Sequence, residues 1–252
     1  MPAHAPLQMA ASALRASSHA LMQALPSRCR ICRAWPAQTL CNACVQAFAQ
    51  PVPRCRRCAI AVPQGVDTCS DCLRQPPAIE RCVAAVDYTW PWPDCIADFK
   101  FRADAGFADA LALLMRSTPW AEPLLESCSL VLPMPLSTSR LRERGFNQAL
   151  ELARRLAPQR CDATLLMRLP PAHEAADAPA QHTLSRSERL RNLRGAMLVD
   201  PLRANEVRGQ QVLLIDDVMT TGASLEAAAQ ALLQAGAAGV QALVLARTPA
   251  PS

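Results

Sequence analysis

Lysine is nearly absent: Lys100 is the only one among 26 basic residues, and the other 25 are arginine. With alanine and proline also abundant, this bias reflects codon usage before chemistry. No Gly-Lys-Ser/Thr follows a glycine turn, so the phosphate loop of nucleoside triphosphatases is excluded. Long apolar runs are missing too. None reaches the roughly 18 residues that a membrane-spanning helix requires. Residues 1–28 hold only Arg15 and Arg28 as basic residues and no long apolar block, which speaks against a secretory signal. They read as a tail and a short amphipathic helix, Leu14 to Leu25, ended by Pro26. The expectation is a cytoplasmic chain with no membrane span. A net charge of +5 over 252 residues is too modest to imply nucleic acid by itself. That length suffices for a core domain and a smaller one.

Cysteine, by contrast, is abundant, with twelve residues. Eight form four Cys-x-x-Cys pairs: Cys29/Cys32, Cys41/Cys44, Cys55/Cys58 and Cys69/Cys72, separated by eight, ten and ten residues. In a reducing compartment such spacing suggests metal before disulfide. Thiolates two apart on a tight turn share one ion, and two pairs complete a tetrahedral zinc site. Two structural four-cysteine sites are expected over 29–76, as a double zinc ribbon. Sequential pairing is preferred, interleaved pairing is the alternative, and disulfides in an exported chain are a third reading. The segment is Pro-rich and poor in aliphatic residues, so zinc must supply its stability, on the order of 10 kcal/mol per site. Arg30, Arg33, Arg54, Arg56 and Arg57 lie at or between the knuckles. A zinc with four thiolates carries about −2, so these arginines are read as its charge complement, with a docking surface for protein or nucleic acid left open. Cys82, Cys95, Cys128 and Cys161 lack metal spacing and read as buried thiols.

The most informative stretch is 212–224. Val212 to Ile215 reads as a buried strand of a parallel sheet, and Asp216 and Asp217 follow at its expected end. Thr220, Thr221, Gly222, Ala223 and Ser224 then lead into a helical run, Leu225 to Gln234. Strand, small-residue turn and helix start present free backbone N–H groups to an anion, so a phosphate is expected in the turn. The acidic pair suits the hydroxyls of a sugar, as acceptors. Together they describe a site for ribose 5-phosphate.

Upstream, Cys82 to Tyr88 reads as a first strand. Asp94 to Arg116 is helical in period, interrupted by an exposed cation at Lys100. Ser129 to Met134 reads as a strand running into Pro133 and Pro135, which forbid an immediate helix and leave a stiff loop. Arg140, Arg142 and Arg144 then offer a polyanion site ahead of Gly145 and a helix. Residues 158–208 are Pro- and Arg-rich, and the last strand is expected over Val240 to Ala246.

Asp216-Asp217-Val-x-Thr220-Thr221-Gly222-x-Ser224 resembles the 5-phosphoribosyl 1-diphosphate (PRPP) signature of type I phosphoribosyltransferases. Pro135-x-Ser137 followed by Arg142-x-Arg144-Gly-Phe-Asn-Gln148, and the four Cys-x-x-Cys pairs, narrow the resemblance to the competence protein F (ComF) family. The family is phosphoribosyltransferase-like and tied to DNA uptake. The resemblance spans about residues 26–248. It implies a Rossmann-like parallel sheet with helices on both faces over 82–248, preceded by the small zinc-ribbon domain. It further implies that Asp216 and Asp217 hold the ribose hydroxyls and the 220–224 turn holds the 5-phosphate. Pro135, Leu136 and Ser137 take the place of the diphosphate loop, with Arg140 and Arg144 as its ligands, and Met134 stands where the family has Val. A Lys in the region of Lys100 approaches the diphosphate in relatives. Gln181, Leu184, Ser185, Arg189 and Asn192 match a flap that closes over the reaction centre. His173 and His182 also lie there and are read as solvated.

Two functions are compatible with this reading. One is a phosphoribosyltransferase using PRPP and Mg²⁺ with an unnamed acceptor. The other is a non-catalytic PRPP- or nucleotide-sensing adaptor in DNA uptake, contacting single-stranded DNA or competence proteins through the zinc module. Metal analysis of freshly reduced, unchelated protein is expected to find two zinc ions per chain, and finding none would remove the ribbon reading.

Overall fold

Four apolar residues in a row, Val212 to Ile215, have no exposed face, and a strand of that kind must lie inside a sheet covered on both sides. The computed structural model describes residues 27–102, 104–169 and 197–250 and places this run at the centre of such a sheet. Its strands are β1 (Arg81–Asp87), β2 (Leu130–Pro133), β5 (Gln211–Met219) and β6 (Gly239–Arg247). All pair in parallel, in the order β1-β6-β5-β2. A separate antiparallel pair joins β3 (Leu166–Arg168) to β4 (Met197–Val199).

The helices are α1 (Asn42–Phe48), α2 (Ser70–Arg74), α3 (Trp92–Phe101), α4 (Ala105–Arg116), α5 (Ala121–Ser127), α6 (Thr138–Arg144), α7 (Gln148–Leu156) and α8 (Ala223–Gln234). Side chains alternate across a strand. Val212, Leu214, Val240, Ala242 and Val244 therefore share one face, where Leu225, Ala228, Ala229 and Leu232 of α8 cover them. The alternate residues Leu213, Ile215, Leu243 and Leu245 are equally buried. Helix α4 packs on β1 and β6, α5 on β5 and β6, and α7 on β2 and β5. The expected Rossmann-like sheet with helices on both faces is thus present.

Three elements differ from the sequence expectation. The helical period over 94–116 is two helices, because Asp104 caps a new start by accepting from the Phe107 amide at 3.1 Å. The arginine loop is a short helix, α6, with Ser137 as its N-cap and Gly145 (φ 77°) as its left-handed C-cap. Strand β5 does not stop before the two acids but continues to Met219.

The chain divides into two compact units between Phe48 and Ala49, within the 29–76 segment. The first cysteine cluster lies in the first unit. The second cluster is grouped with the sheet, and Ala59 beside it is fully buried in the core. The stretch Leu14 to Leu25 lies outside the described residues. Among the described residues no helix is long and apolar enough to cross a membrane.

Phe99 joins α3 to the rest of the core. It is 1% exposed and meets Phe107 and Phe146 edge-to-face, with centroids 6.1 and 6.2 Å away. Phe99→Ala is expected to cost about 3–5 kcal/mol in urea unfolding. A loss below about 1 kcal/mol would contradict this packing.

Candidate functional site

In a parallel sheet covered on both faces, ligands bind beyond the carboxyl ends of the strands. Here β2 ends in the Pro135–Ser137 loop, and its neighbour β5 ends in the 220–224 turn. The Met134 amide donates to the Ile215 carbonyl at 2.9 Å, so the loop leaves the sheet directly beside Asp216. Two motifs far apart in sequence, at 135–137 and 216–224, become adjacent through one ladder bond.

The Arg-Gly-Phe-Asn-Gln stretch holds that loop in place. Asn147 caps α7, its Oδ1 accepting from the Ala149 and Leu150 amides, while its Nδ2 donates to the Met134 carbonyl at 3.0 Å. Gln148 is 1% exposed. Its Nε2 donates to the Lys100 and Phe146 carbonyls, and its Oε1 accepts from Arg144 at 2.9 Å. Gln148 therefore orients both Arg144 and the end of α3. Arg140 lies on the exposed face of α6.

Lys100 is not the exposed cation expected from the sequence. Its Nζ lies 3.2 Å from Asp217 Oδ2, with side chains 19% and 13% exposed. Each acid also accepts from the next amide, Asp217 N–H to Asp216 Oδ1 and Val218 N–H to Asp217 Oδ1. Loss of hydration pushes the Asp216 carboxyl well above the usual carboxylate range. The Asp217 charge adds to this, while the Asp217 amide and Lys100 oppose it. Such a carboxylate gains from any ligand that brings hydroxyl donors or a cation.

Arg168, at the end of β3, was not singled out from the sequence. It is half-buried, and its pKa is lowered by burial and by the Arg140 charge and raised by Asp216. It therefore belongs to the same electrostatic neighbourhood. The only sequence signal was an arginine ending a short apolar run, Leu165 to Met167. The expected flap residues Gln181, Arg189 and Asn192, with Leu184, Ser185, His173 and His182, lie outside the described residues.

In the turn, Thr220, Thr221 and Ser224 are exposed at the start of α8. Thr221 Oγ1 accepts from the Ala223 amide at 3.3 Å. Gly222 adopts φ 81°, and a Cβ there would lie 2.5 Å from Met219 Cε. The left-handed backbone favours glycine, and a Cβ would push the end of the Met219 side chain aside. Arg247, a second residue the sequence reading passed over, is 7% exposed and donates to the carbonyls of Met219 (3.3 Å), Thr220 and Thr248 (2.6 Å). It lies just past a β-strand period and carries no motif.

The cysteines pair sequentially. Cys29, Cys32, Cys41 and Cys44 form one cluster and Cys55, Cys58, Cys69 and Cys72 the other, with each set of sulfurs within 4.8 Å. Zinc–sulfur bonds of about 2.3 Å in tetrahedral geometry put sulfurs about 3.8 Å apart. The distances Cys29–Cys44 (3.8 Å), Cys32–Cys41 (3.7 Å) and Cys58–Cys69 (3.7 Å) match this, and none is a disulfide length. The two knuckles repeat one design. Arg33 and Ala59 follow the second cysteine with φ 64° and 54°. The amides of Cys41 and Cys69 donate to the sulfurs of Cys29 and Cys55. Burial raises both of these thiols, but backbone donors outweigh it, giving Cys29 a pKa of about 6 and Cys55 about 7. Burial drives Cys58 to about 11 and pushes Cys44 and Cys72 up, with the neighbouring thiols adding to the rise. Four crowded sulfurs, one of them in each cluster lowered by backbone donors, form a donor set that a divalent ion completes. Arg54 pairs with Asp87 at 2.7 Å and donates to the Ala59 carbonyl, so it serves the fold.

Sheet, turn and loop together define a phosphoribosyltransferase-type domain, and the phosphoribosyl transferase domain family matches residues 113–251. The DNA utilization protein YhgH of Salmonella typhimurium is 34% identical over 239 residues, covering 90% of this chain and 100% of that protein. Competence protein F of Haemophilus influenzae is 29% identical over 212 residues, covering 82% and 90%. Competence protein ComFC of Bacillus subtilis is 28% identical over 233 residues, covering 84% and 86%. The chain belongs to the ComF family of phosphoribosyltransferase-like proteins, and its two four-cysteine clusters fit that family's double zinc ribbon.

Gly222→Ala is expected to lower stability by about 1–2 kcal/mol from the left-handed backbone alone, with further loss as Met219 is displaced. Denaturant unfolding measures it, and wild-type stability would contradict the turn geometry.

Proposed function

We propose that the chain binds PRPP with Mg²⁺ and transfers its phosphoribosyl group to an acceptor, in a cytoplasmic role linked to DNA uptake in natural transformation. The observation that supports this most is the Met134–Ile215 bond, which sets the 135–137 loop beside the strand bearing Asp216 and Asp217. The names of the relatives support the link to DNA.

In this proposal the amides and hydroxyls of Thr220, Thr221, Gly222, Ala223 and Ser224 cradle the 5-phosphate at the start of α8. Asp216 and Asp217 accept from the ribose 2- and 3-hydroxyls. Lys100, 3.2 Å from Asp217 Oδ2, aims that carboxylate. Pro135, Leu136 and Ser137, with Arg140 and Arg144, receive the diphosphate, and Arg168 adds a further positive charge. Mg²⁺ is a hard ion suited to carboxylate and phosphate oxygens, and it supplies charge neutralisation to the leaving group. In the transfer, the bond from C1 to the diphosphate oxygen breaks as the acceptor's bond to C1 forms. The acceptor's proton leaves to solvent or base, and the released diphosphate keeps its electron pair. The arginines stabilise the charge that develops on it.

A second reading is a non-catalytic PRPP-sensing or single-stranded-DNA-binding adaptor. It rests on Arg33 and Arg56, each exposed on its own knuckle, and a gel shift with Cys-to-Ser variants separates the two.

Asp216→Asn with Asp217→Asn is expected to abolish PRPP binding in calorimetry and leave the far-UV spectrum unchanged. Unchanged affinity would sink the site assignment. Binding by the wild type without diphosphate release on any base or nucleic acid would favour the adaptor.

A further inference from the structure

The second zinc cluster and the phosphate turn are joined by one side chain. Arg247 is the last residue of β6, and its guanidinium is buried. Its Nε donates to the carbonyl of Cys58, itself a ligand of the second cluster, at 2.9 Å. The same guanidinium donates to the carbonyls of Met219 and Thr220, which open the turn, and of Thr248. A planar five-donor fork spans such a set of acceptors, which a lysine ammonium on its single stem does not.

Two further connections run the same way. The Cys82 amide donates to the Arg56 carbonyl at 2.7 Å, and Cys82 Sγ lies 3.7 Å from Met219 Sδ, the side chain that underlies Gly222. Past the cluster, the Ala78 amide donates to both carboxylate oxygens of Glu226, in the first turn of α8, at 3.2 and 3.0 Å. The turn is thus braced at its entry by Arg247 and at its exit by Glu226. Both braces lead back to the segment that Cys55, Cys58, Cys69 and Cys72 organise.

Charge favours the same arrangement. A zinc with four thiolates carries about −2. A buried guanidinium needs compensation, and a loaded cluster next to it supplies that together with a fixed carbonyl. The Cys58–Ala59 peptide is held within the knuckle by the Ala59 amide donating to the Cys55 carbonyl at 2.8 Å, and an ion bound by Cys55 and Cys58 would tighten that same knuckle.

We propose that Arg247 is a positioning residue that couples metal loading of the Cys55–Cys72 site to the shape of the 220–224 turn. The consequence for ligands rests on the reading of that turn as the 5-phosphate site: the second zinc governs affinity for the phosphoribosyl group without touching it. Coupling of this kind is a statement about linked equilibria and needs a cycle to test it.

The experiment compares wild-type full-length protein with Arg247→Lys, Cys72→Ser and the double variant. Zinc content, PRPP affinity with Mg²⁺ by calorimetry, and amide hydrogen exchange are followed. The informative amides are Glu226, bonded to the Gly222 carbonyl, and Thr248, bonded to the Met219 carbonyl. Arg247→Lys is expected to keep two zinc ions, to exchange faster at both amides, and to bind PRPP about tenfold more weakly, a usual size for site coupling. Cys72→Ser is expected to lose one zinc ion and show the same exchange, and the double variant to be no worse than Cys72→Ser. Wild-type exchange at both amides in Arg247→Lys, or losses that add in the double variant, would overturn the coupling. If Arg247→Lys fails to fold, Cys72→Ser decides through the same two amides. A wild type that binds no PRPP while the exchange pattern holds would refute the ribose-phosphate reading and leave the coupling established.

Discussion

Parallel pairing of β5 between β2 and β6 is the constraint on which the remainder depends. Because the three strands run the same way, their carboxyl ends open on one edge, and everything that follows them is delivered there. Strand β2 brings the proline loop and the arginine helix, β5 the acids and the turn, and β6 Arg247. An antiparallel neighbour would have sent its loop to the opposite edge. The Met134–Ile215 bond is the last rung of that ladder.

The edge is polar and close to the core, and three of the charged groups on it have fixed partners. Lys100 meets Asp217, Arg144 meets Gln148, and Arg247 meets four carbonyls. Fixed partners are what preorganisation means in a binding site, because little reorganisation is left when a ligand arrives. Asp216 accepts from the Asp217 amide but is desolvated and faces the Asp217 charge. Its raised pKa marks a carboxylate short of stabilisation, which is the state a sugar diol or cation relieves.

The two four-cysteine clusters repeat one local design in two settings. Both have the same knuckle bonds and the same left-handed residue. The first is followed by an exposed arginine, Arg33, the second by a buried alanine, Ala59. A side chain as small as Ala59's can enter a packed core where Arg33's could not. The difference of one residue accords with the second cluster being part of the sheet's own unit.

Much was legible in the sequence because it depends on short spacing. Cys-x-x-Cys, a strand run followed by Asp-Asp, and a small-residue turn before a helix each encode their chemistry within about ten residues, as local motifs do. The two four-cysteine clusters, the strands, the turn and the parallel α/β class follow from these. Long-range partners were not legible, because spacing carries no information about them. The sequence alone could not separate one helix from two over 94–116, since Asp104 looks like any polar residue until its cap is formed. It offered Lys100 as a surface cation, because Asp217 lies more than a hundred residues away. It was silent on Arg247, whose acceptors include carbonyls from two distant segments, at Cys58 and at Met219 and Thr220. Local chemistry was set by the order of residues, and which charges meet was decided only when the parallel sheet brought its carboxyl ends to one edge.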